Sequence, residues 1–181
     1  MLKGGDFLRS QWVSDDTMKC ILTALMPANR LALLVSLSTG LRIGDVLALK
    51  TLQVQRGDFS VREQKTGKRK RIHLGKALQT DLLSQAGRIY IFESRTSQLR
   101  HRTRQAVFKD LARVASAFRL KGISPHSCRK SYAVRSFHVY GDIRKVKRLL
   151  NHSDEAVTML YAMADELSQN YHKSTIYSSH K

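Results

Sequence analysis

Thr39-Gly-Leu-Arg-Ile-Gly-Asp-Val-Leu-Ala-Leu-Lys50 contains a helix stop followed at once by a helix start. Before it, Pro27 suits a first helical position, and Leu31, Leu34, Val35 and Ser38 fall at i, i+3, i+4 and i+7 until Thr39-Gly40 ends the helix. After it, Arg42 opens a further helix, expected to reach Lys50 with Val46 and Leu49 turned inward. Asp45 stands at i+3 from Arg42, close enough on one helix face to hold the guanidinium in one rotamer. A plain surface ion pair is the alternative.

Upstream, Ser14-Asp-Asp16 caps a helix over residues 17–25, with its acidic residues at the positive end of the dipole. Downstream the period changes. Val54, Phe59, Val61, Ile72 and Leu74 sit in short stretches broken at Arg56-Gly-Asp58 and Lys65-Thr-Gly-Lys68, which predicts a small three-stranded antiparallel β-meander. Lys76 to Ala86 reads as helix, while Ile89 to Phe92 fits helix or strand. Val107, Leu111, Val114 and Phe118 form the apolar stripe of a long helix starting near Leu99 and stopped by Gly122. Ser124-Pro125 starts a helix to about Tyr140, Asp142 caps another to Leu150, and Ser153 caps one to about Ala164. The expected architecture is a mostly helical α+β domain over residues 14–164, after an N-terminal extension (1–13) and before a polar tail (165–181) free to move or to dock on a neighbouring protomer.

The 181 residues carry 32 Lys and Arg against 14 Asp and Glu, a formal net charge of +18 at pH 7. That excess points to a polyanionic partner, nucleic acid first. The longest apolar run, Leu31-Ala-Leu-Leu-Val35, is far short of the roughly twenty residues a membrane-spanning helix needs, so no membrane role is expected. The N-terminus lacks the apolar core of a secretory signal, and a cytoplasmic protein is expected. Cys20 and Cys128 offer neither a disulfide framework nor a zinc ribbon. Cys128 reads as core packing, since nothing around it marks an activated thiolate.

The chain has no G-x-x-x-x-G-K-[ST], H-E-x-x-H or G-x-S-x-G motif and no acidic cluster suited to two metal ions. A metal-dependent nuclease is disfavoured, and neither metal nor cofactor is expected. What remains is a set of cations, histidines and one tyrosine, in four boxes. They are the 39–50 stretch with Arg42; Gln64-Lys65-Thr-Gly-Lys-Arg-Lys-Arg-Ile-His-Leu74; Pro125-His126-Ser-Cys-Arg129-Lys-Ser-Tyr-Ala133; and Leu149-Leu-Asn-His152, with Tyr161 nine residues after the histidine. In order and over residues 39–161 they resemble the first arginine box, lysine-bearing hairpin, His-x-x-Arg box and His-to-Tyr spacing of the tyrosine recombinase (phage integrase) family. The sequence departs from that pattern at Cys128 for a usual Leu, Lys130-Ser131 for His-Thr and Asn151 for Gly. The family's N-terminal DNA-clamping domain has no counterpart here, so the sequence reads as a catalytic-domain fragment or a minimal member.

The residue types themselves suit phosphoryl chemistry. A phosphodiester attacked in line develops charge on its nonbridging oxygens, and forked guanidiniums such as Arg42 and Arg129 neutralise it without a metal. His126 and Arg129, at i and i+3, share a helix face and suit one joint phosphate site. A phenol needs cations and a hydrogen-bonding base to become a nucleophile; the family spacing selects Tyr161, with Tyr171 as the weaker alternative. Nine residues of straight helix rise about 13.5 Å and put His152 and Tyr161 on opposite faces. Either His152 lies in the preceding turn, or Tyr161 is delivered by a mobile or swapped segment.

The resemblance selects Lys65 as general acid for the leaving 5′ oxygen, with Lys68 as alternative, and leaves Lys68, Arg69, Lys70, Arg71 and Lys130 as DNA-backbone contacts. It implies site-specific recombination through a 3′-phosphotyrosyl intermediate, with Tyr161 as nucleophile and Arg42, Arg129, His126 and His152 stabilising the phosphate. It also implies double-stranded DNA as substrate, a homo-oligomer, generally a tetramer, assembled on it with or without an accessory DNA-bending protein, and a bacterial or phage-encoded origin. Two rival readings share these residues: a type IB topoisomerase, and a non-catalytic DNA-binding regulator built on the same fold.

Overall fold

The computed structural model describes residues 11–150. The helix expected from Ser153, the tail, His152, Asn151 and Tyr161 all lie outside the described residues. The chain divides into two compact units, Met1–Tyr132 and Ala133–Lys181.

In the first unit, α1 (Asp15–Thr23) is capped by Ser14, whose hydroxyl accepts the Thr17 N–H at 3.3 Å, and it buries Met18, Ile21 and Leu22. The central helix, α2 (Pro27–Thr39), begins at its proline and ends at Gly40, whose φ of 68° is the left-handed conformation that favours glycine. It is buried around most of its circumference, from Leu31 through Leu33, Val35 and Leu37 to Thr39. These ends agree with the sequence reading.

The next helix is shorter than expected. α3 spans Ile43–Leu47, with Arg42 as its N-cap, and a separate helix, α4 (Thr51–Gln55), follows. The break arises because the backbone at 49–51 pairs with 89–91 instead of continuing its own ladder. Ile91 N–H reaches Leu49 O at 3.0 Å, Thr51 N–H reaches Ile89 O at 3.1 Å, and Lys50 forms a bridge with Tyr90. The Gln53 side chain then accepts the Lys50 N–H at 3.0 Å and starts α4, so Val54 is a buried helical residue and not part of a strand.

The α+β class holds, but the three-stranded meander does not. β1 (Asp58–Arg62) and β2 (Arg69–His73) form one antiparallel pair, with Phe59 opposite Ile72 and Val61 opposite Lys70. The third strand is lost because Val54 belongs to α4. α5 (Lys76–Ser84) follows as read. A second pair, β3 (Glu93–Ser94) with β4 (Ser97–His101), occupies the stretch expected to begin the long helix. That helix, α6 (Arg104–Ala117), starts only where the Thr103 hydroxyl accepts the Ala106 N–H at 3.2 Å, which leaves Arg100 and Arg102 outside it. It stops before Gly122, at Phe118, and Arg119 turns the chain with φ 56°. Val107, Leu111 and Val114 are buried as expected, whereas Phe118, beyond the last turn, is 47% exposed.

α7 (Pro125–Tyr140) has a reciprocal cap: Ser124 Oγ accepts the His126 N–H, and Ser127 Oγ accepts the Ser124 N–H, each at 3.2 Å. The unit boundary falls within this helix. The core of the first unit joins Met18, Ile21, Leu33, Val35, Leu47, Val61, Ile72, Phe92, Leu111 and Cys128. Cys128 packs with its sulfur 4.0 Å from that of Met18, a core residue as read. In the second unit, Asp142 accepts the Arg144 N–H at 2.7 Å and caps α8 (Ile143–Leu149). No helix among the described residues is long and apolar enough to cross a membrane.

Candidate active site

The turn between α2 and α3 is fixed by short-range hydrogen bonds. The Thr39 hydroxyl donates to Val35 O at 2.6 Å and accepts the Leu41 N–H at 3.2 Å, while the Ser36 hydroxyl donates to Leu41 O at 2.8 Å. Arg42 therefore leaves the turn from a defined backbone position, with its own C=O accepting the Val46 N–H at 3.0 Å.

The Arg42 side chain does not rest on Asp45. Its Nη1 donates to Glu63 Oε2 at 2.5 Å, and Glu63 is fully buried. Asp45 instead accepts the Gln64 backbone N–H through Oδ1 at 2.9 Å, and its Oδ2 has no hydrogen-bond partner among the described residues. Burial pushes the Asp45 carboxyl above its ordinary pKa; the Gln64 N–H opposes this, Glu63 adds to it, and Arg42 and Arg129 oppose it. The expected orienting contact is thus corrected: Asp45 ties α3 to the hairpin, and the hairpin supplies the carboxylate that holds Arg42. The sequence reading missed Glu63. Its signal was alternation, since Phe59, Val61 and Glu63 occupy successive inward positions of one strand and its extension.

Arg129 is 5% exposed and donates through Nη1 to Gly40 O, two residues before Arg42. The turn that carries one candidate guanidinium thus receives the other. His126, one helical turn before Arg129, is half-buried.

Lys65 is exposed at the tip of the hairpin, which is held on both sides of it. Asp45 takes the Gln64 N–H, the Thr66 hydroxyl donates to Glu63 Oε2 at 3.3 Å, and Gly67, with φ 66°, donates to Glu63 O at 2.8 Å. Glu63 thereby contacts both Arg42 and the loop that carries Lys65. Gly44 packs closely beside the site: a Cβ there would lie 3.3 Å from the Arg104 Cδ and 3.7 Å from Gln64 Oε1.

The basic run separates by strand alternation. Lys68, Arg69 and Arg71 are exposed, as a DNA-facing role requires, and Lys130 on α7 is half-buried. Lys70 is the correction: it faces inward and is only 9% exposed, so it is not placed as a surface contact to a DNA backbone. Arg42, Arg129 and Lys70 outnumber the buried Glu63 and Asp45, an excess of positive charge suited to an anion. Among the described residues, no group of three or more His, Cys, Asp or Glu side chains stands together to hold a metal ion.

The sequence profile of the phage integrase family matches residues 11–167. "Probable integrase/recombinase YoeC" of Bacillus subtilis (strain 168) is 29% identical over 135 residues, covering 72% of this chain and 74% of the relative. "Tyrosine recombinase XerD" of Lacticaseibacillus casei is 29% identical over 154 residues, covering 76% of this chain and 51% of the relative, so the chain spans about half the length of that protein. Among solved structures, a lambda integrase tetramer bound to a Holliday junction superposes with a TM-score of 0.67 at 21% identity, covering 83% of this chain and 48% of the other.

Proposed function

This chain belongs to the phage integrase family, and from that premise we propose that it is a site-specific DNA recombinase that cleaves and rejoins DNA through a 3′-phosphotyrosyl intermediate. Residues 14–164 form the catalytic domain in this reading. Tyr161, its phenolic proton passing to a hydrogen-bonding base, attacks the phosphorus; the bond to its phenolic oxygen forms as the bond to the 5′ oxygen breaks, and Lys65 gives that oxygen a proton. Arg42, Arg129, His126 and His152 neutralise the charge that develops on the nonbridging oxygens. The protein–DNA ester keeps the energy of the broken bond, so a second strand is joined without ATP or metal.

One observation carries the reading: Glu63 holds the Arg42 guanidinium and the Thr66 hydroxyl of the Lys65 loop, on a turn whose Gly40 carbonyl takes Arg129. Two forked cations and one lysine are thereby gathered on one framework, as a phosphoryl transfer without a metal requires. One solved structural neighbour is a lambda integrase tetramer bound to a Holliday junction, and a tetramer on double-stranded DNA is proposed here.

The test is a nicked suicide duplex incubated with the protein in excess EDTA and run on a denaturing gel. A covalent protein–DNA band is expected. A protein that binds the duplex without forming the band is a passive binder, and strict dependence on Mg²⁺ points to different chemistry.

A further inference from the structure

Lys70 occupies an inward strand position beside Phe59, Val61 and Ile72, where an aliphatic residue fits without the cost of burying a charge. Its ammonium is held instead by polar and aromatic groups. Nζ donates to Thr39 O at 2.5 Å and stands 5.2 Å from the centre of the Tyr132 ring. Thr39 is the last residue of α2, so its carbonyl lies at the negative end of the helix dipole. The next carbonyl, that of Gly40, accepts from Arg129. Two consecutive carbonyls at one helix end are therefore taken by cations from two different elements, the hairpin and α7. Two residues further on is Arg42, itself held by Glu63 from the hairpin.

We propose that Lys70 is a positioning residue of the phosphate clamp: its ammonium fixes the Thr39–Arg42 turn from the hairpin side, as Arg129 fixes it from α7. The inference rests on the recombinase reading and adds a pH dependence to it. The charged groups that face Lys70 are Arg129 from α7, Glu63 from the end of β1 and Arg42 from the turn, with the Tyr132 ring also against it. Burial, first, and the two arginines lower its pKa from 10.5 to about 8, with Glu63 opposing them. Below that pH the ammonium is charged and holds the turn. Above it the neutral amine has lost its charge-assisted bond to Thr39 O, and the clamp loosens.

The experiment compares wild type, Lys70→Arg and Lys70→Met in two measurements. In the first, single-turnover cleavage of the suicide duplex and DNA affinity are followed from pH 6.5 to 9.5. The wild-type rate should lose a component with a midpoint near pH 8 that Lys70→Arg retains. Lys70→Met should cleave ~10–100-fold more slowly at pH 7, as expected for a misplaced clamp, while its DNA Kd stays within about twofold. Equal rates and pH profiles in all three proteins, or a loss in Lys70→Met matched by an equal loss of binding, overturn the proposal. The second measurement needs no catalysis: in the free protein, NMR follows the Lys70 Cε resonance and the Arg42 and Arg129 Nε resonances with pH. Both arginines should shift with Lys70 near pH 8 in wild type and not in Lys70→Arg. Arginine signals that ignore the Lys70 titration overturn the positioning role, even if Lys70→Met fails to fold. A wild-type protein that forms no adduct contradicts the recombinase reading, while the arginine titration still decides the role of Lys70.

Discussion

Glu63 Oε2 accepts the Arg42 Nη1–H at 2.5 Å, so the guanidinium at the head of α3 is held from the hairpin and not by the carboxylate three residues along its own helix. Glu63 is fully buried while the Arg42 side chain is 15% exposed, an arrangement in which one side of the guanidinium is anchored and another stays open. Replacing Glu63 by Gln keeps the shape and removes the charge. Single-turnover cleavage should fall ~10–100-fold, because small misplacements of a clamp are costly, with little change in DNA affinity. A Glu63→Gln protein that cleaves at the wild-type rate would show that Arg42 needs no such anchor.

The two arginines differ from lysine in offering a planar fork. Arg42→Lys and Arg129→Lys should each lower cleavage by ~100-fold or more, since a point charge does not reproduce bidentate contact with phosphate oxygens. DNA binding, measured at the same salt, should be nearly intact. Parallel losses in binding and cleavage would assign these arginines to holding DNA only.

The legible part of the fold was the part written in local chemistry. Ser14, Pro27, Gly40, Ser124 and Asp142 mark helix ends by capping or by backbone preference, and the structure ends its helices there. The misread parts depend on pairing between distant segments. Nothing within 42–55 announces that its backbone will bond to 89–91, and Thr103 is a better cap than Leu99 only once 97–101 is taken into a strand. The same holds for the site. Arg42, Lys65, His126 and Arg129 were nominated as candidates by residue type together with the resemblance of their boxes to the family, and the structure puts Arg42, the Arg129 contact and the Lys65 loop on one framework. Glu63 and Lys70 were not legible in this way, because their roles come from facing inward on paired strands, and Lys70 sits in a basic run that looks uniformly solvated.

Strand alternation also divides the exposed cations, proposed to face DNA, from the buried Lys70. Lys68→Ala and Arg71→Ala should each reduce the slope of log K against log salt by about 0.9 for every phosphate that the removed cation neutralises. Lys70→Met should leave that slope unchanged. Salt titrations of binding to random duplex measure all three, and a shallower slope in Lys70→Met would place its ammonium on the DNA after all.

Away from the site, Asp110 ties α6 to the start of α2, accepting from the Asn29 amide at 2.8 Å, the Met26 N–H at 3.0 Å and Arg113 at 2.7 Å. Burial raises the carboxyl's pKa, but these hydrogen bonds and the Arg113 charge together outweigh it, and the net pKa lies below 3.8. With the folded value depressed, the carboxylate's contribution is fully present above about pH 4 and is lost as pH falls through the folded pKa. Asp110→Ala should cost on the order of 1–3 kcal/mol near neutral pH, because it leaves the buried Asn29 amide unpaired. Denaturant melts at pH 7 and pH 3 should show the gap between wild type and variant narrowing at low pH. A gap independent of pH would mean that the Asp110 charge contributes nothing to stability.

In the proposed mechanism the Arg42–Arg129–Lys65 framework serves a tyrosine nucleophile, Tyr161. The most direct measurement is mass-spectrometric mapping of the protein–DNA adduct trapped on a suicide duplex, in wild type and in Tyr161→Phe. A nucleotide linked through its 3′ phosphate to Tyr161 is expected, with no adduct in the variant. An adduct mapped to Tyr171, or one that persists unchanged in Tyr161→Phe, would contradict the claim.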